Sequence, residues 1–235
     1  MKKIIIIIIF AVILLGAAVF YNEFSHKQNN SGMNSGNNSP QNTSSQNAPT
    51  PNSSSSQNQN AQNNSSQNGF VPPLPDAAAR VTKKPFGIYV TPQNSPVQPE
   101  RFTGYHTGAD FETFPNEQNA TVAVHAVCNG TFRLKEYASG YGGVAVEQCT
   151  LNGSPITVIY GHLNAATITP NVGDKISAGQ AIGDLGKGYS VQTDGERKHL
   201  HLGFHKGAAI NILGYVQNKA DLAQWIDPCL YNVCK

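Results

Sequence analysis

Charged residues are scarce in this chain of 235 residues, in which Asp, Glu, Lys and Arg make up only 13% of the total. Residues 69–235 hold 13 basic and 13 acidic residues, so these residue types give that part no net charge. It has no run of basic residues and no basic strip interleaved with aromatic residues. Nucleic-acid binding depends on such an electrostatic surface, and we therefore expect no nucleic-acid partner.

Long apolar runs are also lacking, with one exception at residues 4–20, behind Lys2 and Lys3. This run is close to the shortest spanning helix, about 17 residues, and slightly longer than a usual signal-peptide core of about 7–15. We predict that residues 1–27 are a membrane anchor or a cleaved signal segment. Because the lysines favour a cytoplasmic N-terminus, both alternatives place the rest of the chain outside the cytoplasm.

Residues 28–68 contain no charged residue and consist mostly of Asn, Ser and Gln. They lack the aromatic and branched side chains whose burial would offset the loss of chain entropy on folding. We predict a disordered linker over 28–68 and one folded domain over 69–235, which is a usual domain length.

Cysteine is infrequent, and no two cysteines have the Cys-x-x-Cys spacing of common structural zinc sites. An even number of cysteines outside the cytoplasm favours disulfides, and four cysteines allow three pairings. We favour Cys128–Cys149 and Cys229–Cys234, which close the shortest loops. If residues 139–143 form the hairpin turn, simple register places Cys149 opposite residue 133, so the first pair requires a bulge or a bend.

Short segments rich in branched and aromatic residues, separated by Asn-Gly and glycine-rich turns, predict a mostly β domain. Their spacing favours an antiparallel sheet or barrel. The one helix that the pattern predicts is short, from Asn218 to Trp225. The predicted strands are 121–127, 131–137, 144–150, 156–160 and 198–205.

Three short motifs hold four histidines and an aspartate. Neutral imidazoles and carboxylates bind zinc, and a catalytic zinc site uses three such ligands and a water. The set supplies three ligands and leaves two histidines to move protons, which is the minimum for metal-assisted hydrolysis. The motifs are His106-Thr107-Gly108-Ala109-Asp110, Tyr160-Gly161-His162-Leu163 and His199-Leu200-His201.

The third motif lies in the clearest alternating pattern of the chain. Residues two apart in a strand share a face, so His199, His201 and His205 point one way. The leucines and the phenylalanine between them point the other way, into a core. The pattern predicts that the imidazoles occupy an open face of the sheet.

From about Gly104 to Phe204 the chain resembles the lysostaphin/LytM-type zinc metallopeptidases, which cut peptide cross-links in bacterial cell walls. The resemblance rests on the order and spacing of the three motifs and on the pieces Val124–Gly130, Gly140–Gly143 and Val172–Gly183. It implies a compact all-β domain of the duplicated-hybrid-motif type with a groove across the sheet. It also implies one zinc ion per domain and peptidoglycan peptides as partners of a monomeric domain.

By this resemblance, His106, Asp110 and His201 are the metal ligands. His162 and His199 match the two histidines that flank the metal, and we expect them to be catalytic. The sequence leaves open which of the two is the general base. It also leaves open the bond that is cleaved, which could be a Gly-Gly bridge, a bond to a D-amino acid or a bond in a protein substrate.

Two departures from the family pattern stand out. Leu202-Gly203 follows the third motif where the family usually has Phe-Glu, which removes a carboxylate. The segment Gly186–Lys198 is longer than usual and could reshape one wall of the groove.

Two other functions remain open. One is a catalytically silent wall-binding or activator module of the same fold, although all five key residues are present. The other is a carrier domain, since Val172–Gly183 also resembles a turn of lipoyl and biotinyl modules. Lys187 lies among glycines, however, and export would separate it from the enzymes that attach cofactors.

Overall fold

The computed structural model describes residues 69–235, so the predictions for 1–27 and 28–68 lie outside the described residues. The described chain forms twelve β-strands and one α-helix, α1 (Lys219–Leu222), and none of its helices is long and apolar enough to cross a bilayer. The strands are β1 (Tyr89–Val90), β2 (Gly104–His106), β3 (Gly108–Glu112), β4 (Ala123–His125), β5 (Gly130–Ala138), β6 (Gly142–Leu151), β7 (Ser154–Leu163), β8 (Lys175–Ile176), β9 (Ala181–Asp184), β10 (His199–Lys206), β11 (Tyr215–Val216) and β12 (Trp225–Ile226).

The largest sheet has seven strands, in the order β12-β10-β7-β6-β5-β8, with β3 also paired to β10. Its paired strands are antiparallel, and the long hairpins β5–β6 and β6–β7 form its centre. β3 and β12 follow one another along one edge of β10, while β7 occupies the other edge. The predicted all-β fold class is therefore confirmed, and β10 lies between the strands that carry the other two motifs.

The alternation in β10 is confirmed on its core face. Leu200, Leu202 and Phe204 have no exposed surface and belong to the main hydrophobic cluster. Burial of each such side chain contributes roughly 1.5–3 kcal/mol, which fixes the face that β10 turns inward. The opposite face must then carry the histidines.

The prediction of an open face is only partly correct, because the histidines line a cavity but are otherwise covered. His199 and His201 are only 2% and 3% exposed. The rings of His106, at the end of β2, and of Tyr141 pack against His201, with centroids 4.8 Å and 5.3 Å from its ring. The sequence alternation could not show this cover, because it comes from segments distant along the chain.

Both favoured disulfides, Cys128–Cys149 and Cys229–Cys234, are present. In the β5–β6 hairpin Thr131 pairs with Gln148, which places Cys149 nearer to Cys128 along the strand than the simple register predicted. The register shifts at Arg133, which is the irregularity that the first disulfide was expected to require.

The predicted helix from Asn218 to Trp225 is partly wrong. Asn218 caps the N-terminus of α1, where its side chain accepts a hydrogen bond from the Asp221 amide, but the helix ends at Leu222. Trp225 instead pairs with His205 as part of β12. Sheet pairing and burial of the indole therefore override the helical pattern.

Candidate active site

The register between β3 and β10 brings two of the candidate metal ligands together. Asp110 lies directly opposite His201, so the two side chains share one face of the pair. This close approach requires a glycine at position 108, where a Cβ would lie 2.4 Å from the Leu202 carbonyl oxygen. His106 reaches the same point from the end of β2, which is separated from β3 by Thr107 alone. The first motif is thus a junction between two strands and not a helix.

Three ligand-type atoms of these residues form a small triangle. His106 Nε2 lies 2.9 Å from His201 Nδ1 and 3.1 Å from Asp110 Oδ1, and His201 Nδ1 lies 3.2 Å from the same oxygen. The Nδ1–H of His106 donates to the Pro85 carbonyl at 3.2 Å, which leaves the Nε2 lone pair facing the triangle. Tetrahedral zinc with bonds of about 2.0–2.1 Å keeps neighbouring ligand atoms roughly 3.3 Å apart. The residues present therefore fit a zinc ion.

The protonation states also suit metal binding. Burial opposes ionisation of Asp110, but the neighbouring His106 and His199 imidazoles outweigh it and hold the pKa of the carboxyl well below its ordinary value. Burial lowers the pKa of His201 to about 4. At neutral pH the aspartate is therefore ionised and the His201 imidazole is neutral, which are the ligand forms of both groups.

His162 reaches this face through a β-bulge. Val144 pairs with Gly161 and Gly143 with Leu163, which leaves His162 unpaired in β7 with a φ of 64°. Regular alternation would put Gly161 on the face of His201, its partner in β10, and would turn His162 to the opposite side. A bulge re-aims a side chain in this way and is common next to active sites.

The bulge places His162 against His199, with 4.2 Å between their ring centroids. His199 donates from Nδ1 to the Arg197 carbonyl at 2.9 Å, and its Nε2 lies 3.3 Å from Asp110 Oδ2. Burial and the adjacent His199 hold the pKa of His162 well below its ordinary value, so its imidazole is neutral. The five candidate residues thus form one cluster: a triangle of ligand-type atoms with two imidazoles beside it.

The other two histidines of the described chain lie outside this cluster. His125 faces the Pro73 carbonyl, at 3.4 Å from its Nδ1, as expected for a structural histidine. His205 shares the face of His201 but packs against Trp225, with ring centroids 4.8 Å apart.

Comparison with known protein families identifies the same region of the chain. The family model described as Peptidase family M23 matches residues 104–212, which include all five candidate residues. Residues 104–212 therefore belong to peptidase family M23. This confirms the resemblance to the lysostaphin/LytM type. No curated protein matches the sequence.

Several solved structures are similar to the M23 domain. The catalytic domain of lysostaphin from Staphylococcus simulans is 21% identical; the match covers 63% of this chain and 87% of that domain, with a TM-score of 0.42. A protein named cbpa from L. salivarius REN is 23% identical, covers 69% and 94%, and has a TM-score of 0.45. A chain in the structure of the SpoIIQ–SpoIIIAH pore-forming complex is 16% identical; the match covers 71% of this chain and 92% of that one, with a TM-score of 0.48.

A cavity of about 510 Å³ lies over the cluster in the M23 domain. Glu196 and Arg197, from the long segment Gly186–Lys198, line one wall of the cavity. It is tied to the β5–β6 turn by Asp194, which accepts hydrogen bonds from the Gly140 amide at 2.7 Å and the Tyr137 hydroxyl at 2.9 Å. The shape of the cavity thus depends on how this segment is held.

Sequence reasoning missed three cavity residues, Tyr141, Arg197 and Tyr215. The Tyr141 ring lies 5.3 Å from that of His201, and its buried hydroxyl has no hydrogen-bond partner among the described residues. In the sequence, Tyr141 could have been found from its position inside the Gly140–Gly143 motif, and Arg197 from the unusual length of its segment. No sequence feature pointed to Tyr215.

Replacing Gly161 of the M23 domain with alanine is expected to displace Tyr141. A Cβ at position 161 would lie 2.3 Å and 2.5 Å from two ring carbons of Tyr141 and 3.2 Å from the His201 Cβ. Overpacking of this kind costs about 1–3 kcal/mol of unfolding free energy. Urea unfolding of Gly161→Ala, Tyr141→Ala and the double variant measures it. In the double variant the alanine at 161 should cost far less, and strictly additive costs would contradict this account of the glycine.

Proposed function

We propose that this protein is a zinc-dependent endopeptidase that hydrolyses peptide bonds in cell-wall peptidoglycan. The observation that carries the proposal is the triangle of His106 Nε2, Asp110 Oδ1 and His201 Nδ1 at a cavity, with His162 and His199 beside it. Two neutral ligands and one anion form a donor set typical of catalytic zinc sites. The match to a peptidase family supports peptide-bond hydrolysis as the reaction class.

The proposed zinc ligands are His106, Asp110 and His201, with one ion per domain. When bound, the ion would supply the Lewis acidity that activates a water near neutral pH. Asp110 contributes the single negative charge of the set. The Pro85 carbonyl holds the His106 ring so that Nε2 points at the site.

His162 and His199 move the protons in this proposal. His199 donates from Nδ1 to the Arg197 carbonyl, so Nε2 is the atom that exchanges a proton. His162 is neutral because of its burial, and its Nδ1 has no hydrogen-bond partner among the described residues. One histidine accepts the proton of the attacking water and, as an imidazolium, gives that proton either to the leaving amine or to the other histidine, which then protonates the amine.

The cavity suits an extended peptide more than a charged polymer. Apolar side chains, among them Phe102, Ile212 and Leu213, line it together with the polar cluster. Two disulfides in the described chain suit an oxidising location outside the cytoplasm, where peptidoglycan lies. We further propose that residues 1–27 anchor or export the protein, that residues 28–68 act as its tether, and that the domain works as a monomer.

Digestion of purified cell walls tests the proposed function. The full chain is incubated with walls that are cross-linked either directly or through glycine bridges, and new amino groups are counted. We expect release from at least one wall type, loss of release with a chelator, and recovery with one equivalent of zinc. A zinc-loaded protein that releases no amino groups from either wall would instead favour the silent wall-binding module.

A further inference from the structure

Arg197 connects the candidate metal site to the wall of the cavity. It is only 7% exposed, and its Nη2 donates to Asp110 Oδ2 at 3.0 Å. Its Nε donates to both carboxylate oxygens of Glu112, at 3.1 and 3.0 Å, and Nη2 donates to Glu112 as well. A guanidinium presents donors in a fixed plane, so two partners on two sides fix its orientation.

The two oxygens of Asp110 therefore have different partners. Oδ1 faces His106 and His201 inside the triangle. Oδ2 is held from the other side by Arg197 at 3.0 Å and lies 3.3 Å from His199 Nε2. Oδ1 is therefore the oxygen that faces the other two ligand-type atoms, whereas Oδ2 faces Arg197 and His199.

The same residue also orients His199. Its carbonyl accepts a hydrogen bond from His199 Nδ1 at 2.9 Å, which leaves Nε2 to face the site. Glu112 and His199 are opposite one another in the β3–β10 pair, so the residue that holds the Arg197 side chain belongs to the same pairing. The Arg197 side chain thus fixes the direction of a carboxylate, and the backbone carbonyl of the same residue fixes the tautomer of an imidazole.

We infer that Arg197, held by Glu112, is a positioning residue that makes Asp110 a ligand through one oxygen and presents His199 Nε2 to the site. The inference rests on the proposed function. In a zinc site the groups that hold the ligands tune the metal as well as the geometry, and their loss typically costs about 10- to 100-fold in metal affinity or activity.

A merely structural role for Arg197 makes a different prediction. The segment Gly186–Lys198 is also tied down by Arg101, which bonds to Glu196 and to the Asp194 carbonyl but touches none of the cluster. Arg101→Gln therefore loosens the same segment without touching Asp110 or His199. It is the matched control for Arg197→Gln.

The test compares wild type, Arg197→Gln, Arg197→Lys, Glu112→Gln and Arg101→Gln as full chains. Zinc affinity is measured by competition with a chelator, the visible spectrum is recorded with cobalt in place of zinc, and kcat and KM are measured on a cross-linked peptide. We expect Arg197→Gln to lower zinc affinity and kcat by about 10- to 100-fold each, with KM nearly unchanged. Its cobalt spectrum should change, because Asp110 can then bind through both oxygens. Arg197→Lys and Glu112→Gln should show smaller changes in the same direction.

Two results would overturn this inference and leave the proposed function intact. One is wild-type zinc affinity, spectrum and kcat in Arg197→Gln. The other is an equal fall in Arg197→Gln and Arg101→Gln with an unchanged cobalt spectrum, which would indicate a loosened segment. If Arg197→Gln does not fold, wild-type values in both Arg197→Lys and Glu112→Gln overturn it. Failure of the wild type to bind zinc would remove the proposed function together with this inference.

Discussion

His201→Ala is expected to lose both zinc and hydrolysis, whereas His199→Ala is expected to lose hydrolysis and keep about one zinc per domain. His201 contributes one corner of the ligand triangle, so its removal leaves only two ligands. His199 is not part of the triangle, and the Asp110 oxygen that it contacts is the one outside the triangle. Loss of a residue that transfers protons costs about 100- to 10,000-fold in rate.

The measurements are zinc content after dialysis, and amino groups released from cell walls. His205→Ala is the matched control, because His205 lies on the same face of β10 but packs against Trp225 outside the cavity. It should keep both zinc and activity. Near-normal activity in His199→Ala, or normal zinc content in His201→Ala, would contradict the assigned roles.

Glu147→Gln is expected to stabilise the protein at neutral pH. Glu147 has no exposed surface, and burial raises its pKa to about 8 although the Tyr160 hydroxyl donates to it at 3.0 Å. Its ordinary value is 4.5. Between these pH values the unfolded chain binds fewer protons at this residue than the folded chain, so stability falls as pH rises, by about 1.4 kcal/mol per pH unit.

The contribution is fully present below about pH 4.5 and is lost as pH rises to about 8. Glutamine is neutral throughout and keeps an acceptor for Tyr160, so it should remove this slope and add about 3 kcal/mol at pH 7. Urea unfolding from pH 4.5 to 8 without reductant measures the difference from wild type. Glu136→Gln, at an exposed position in the neighbouring strand, is the control. Parallel pH profiles for wild type and Glu147→Gln would refute the prediction.

Much of the candidate site could be predicted because its signals are local. The period of two in β10 separates His199 and His201 from Leu200 and Leu202 without knowledge of any neighbour. The hairpins around β6 are marked by their turns in the same way. The helix at Asn218 was predicted too long because a local pattern could not include the pairing of Trp225 with His205.

By itself, the sequence determined that the domain is all-β, which residue types could bind a metal, and which face of β10 carries imidazoles. The tertiary structure decided that Asp110 lies opposite His201, that a bulge turns His162 toward them, and that Arg197 reaches Asp110 from a distant segment. The physical reason is distance along the chain. Alternation and turns act between near neighbours, whereas strand register, bulges and ion pairs depend on how remote segments pack against each other.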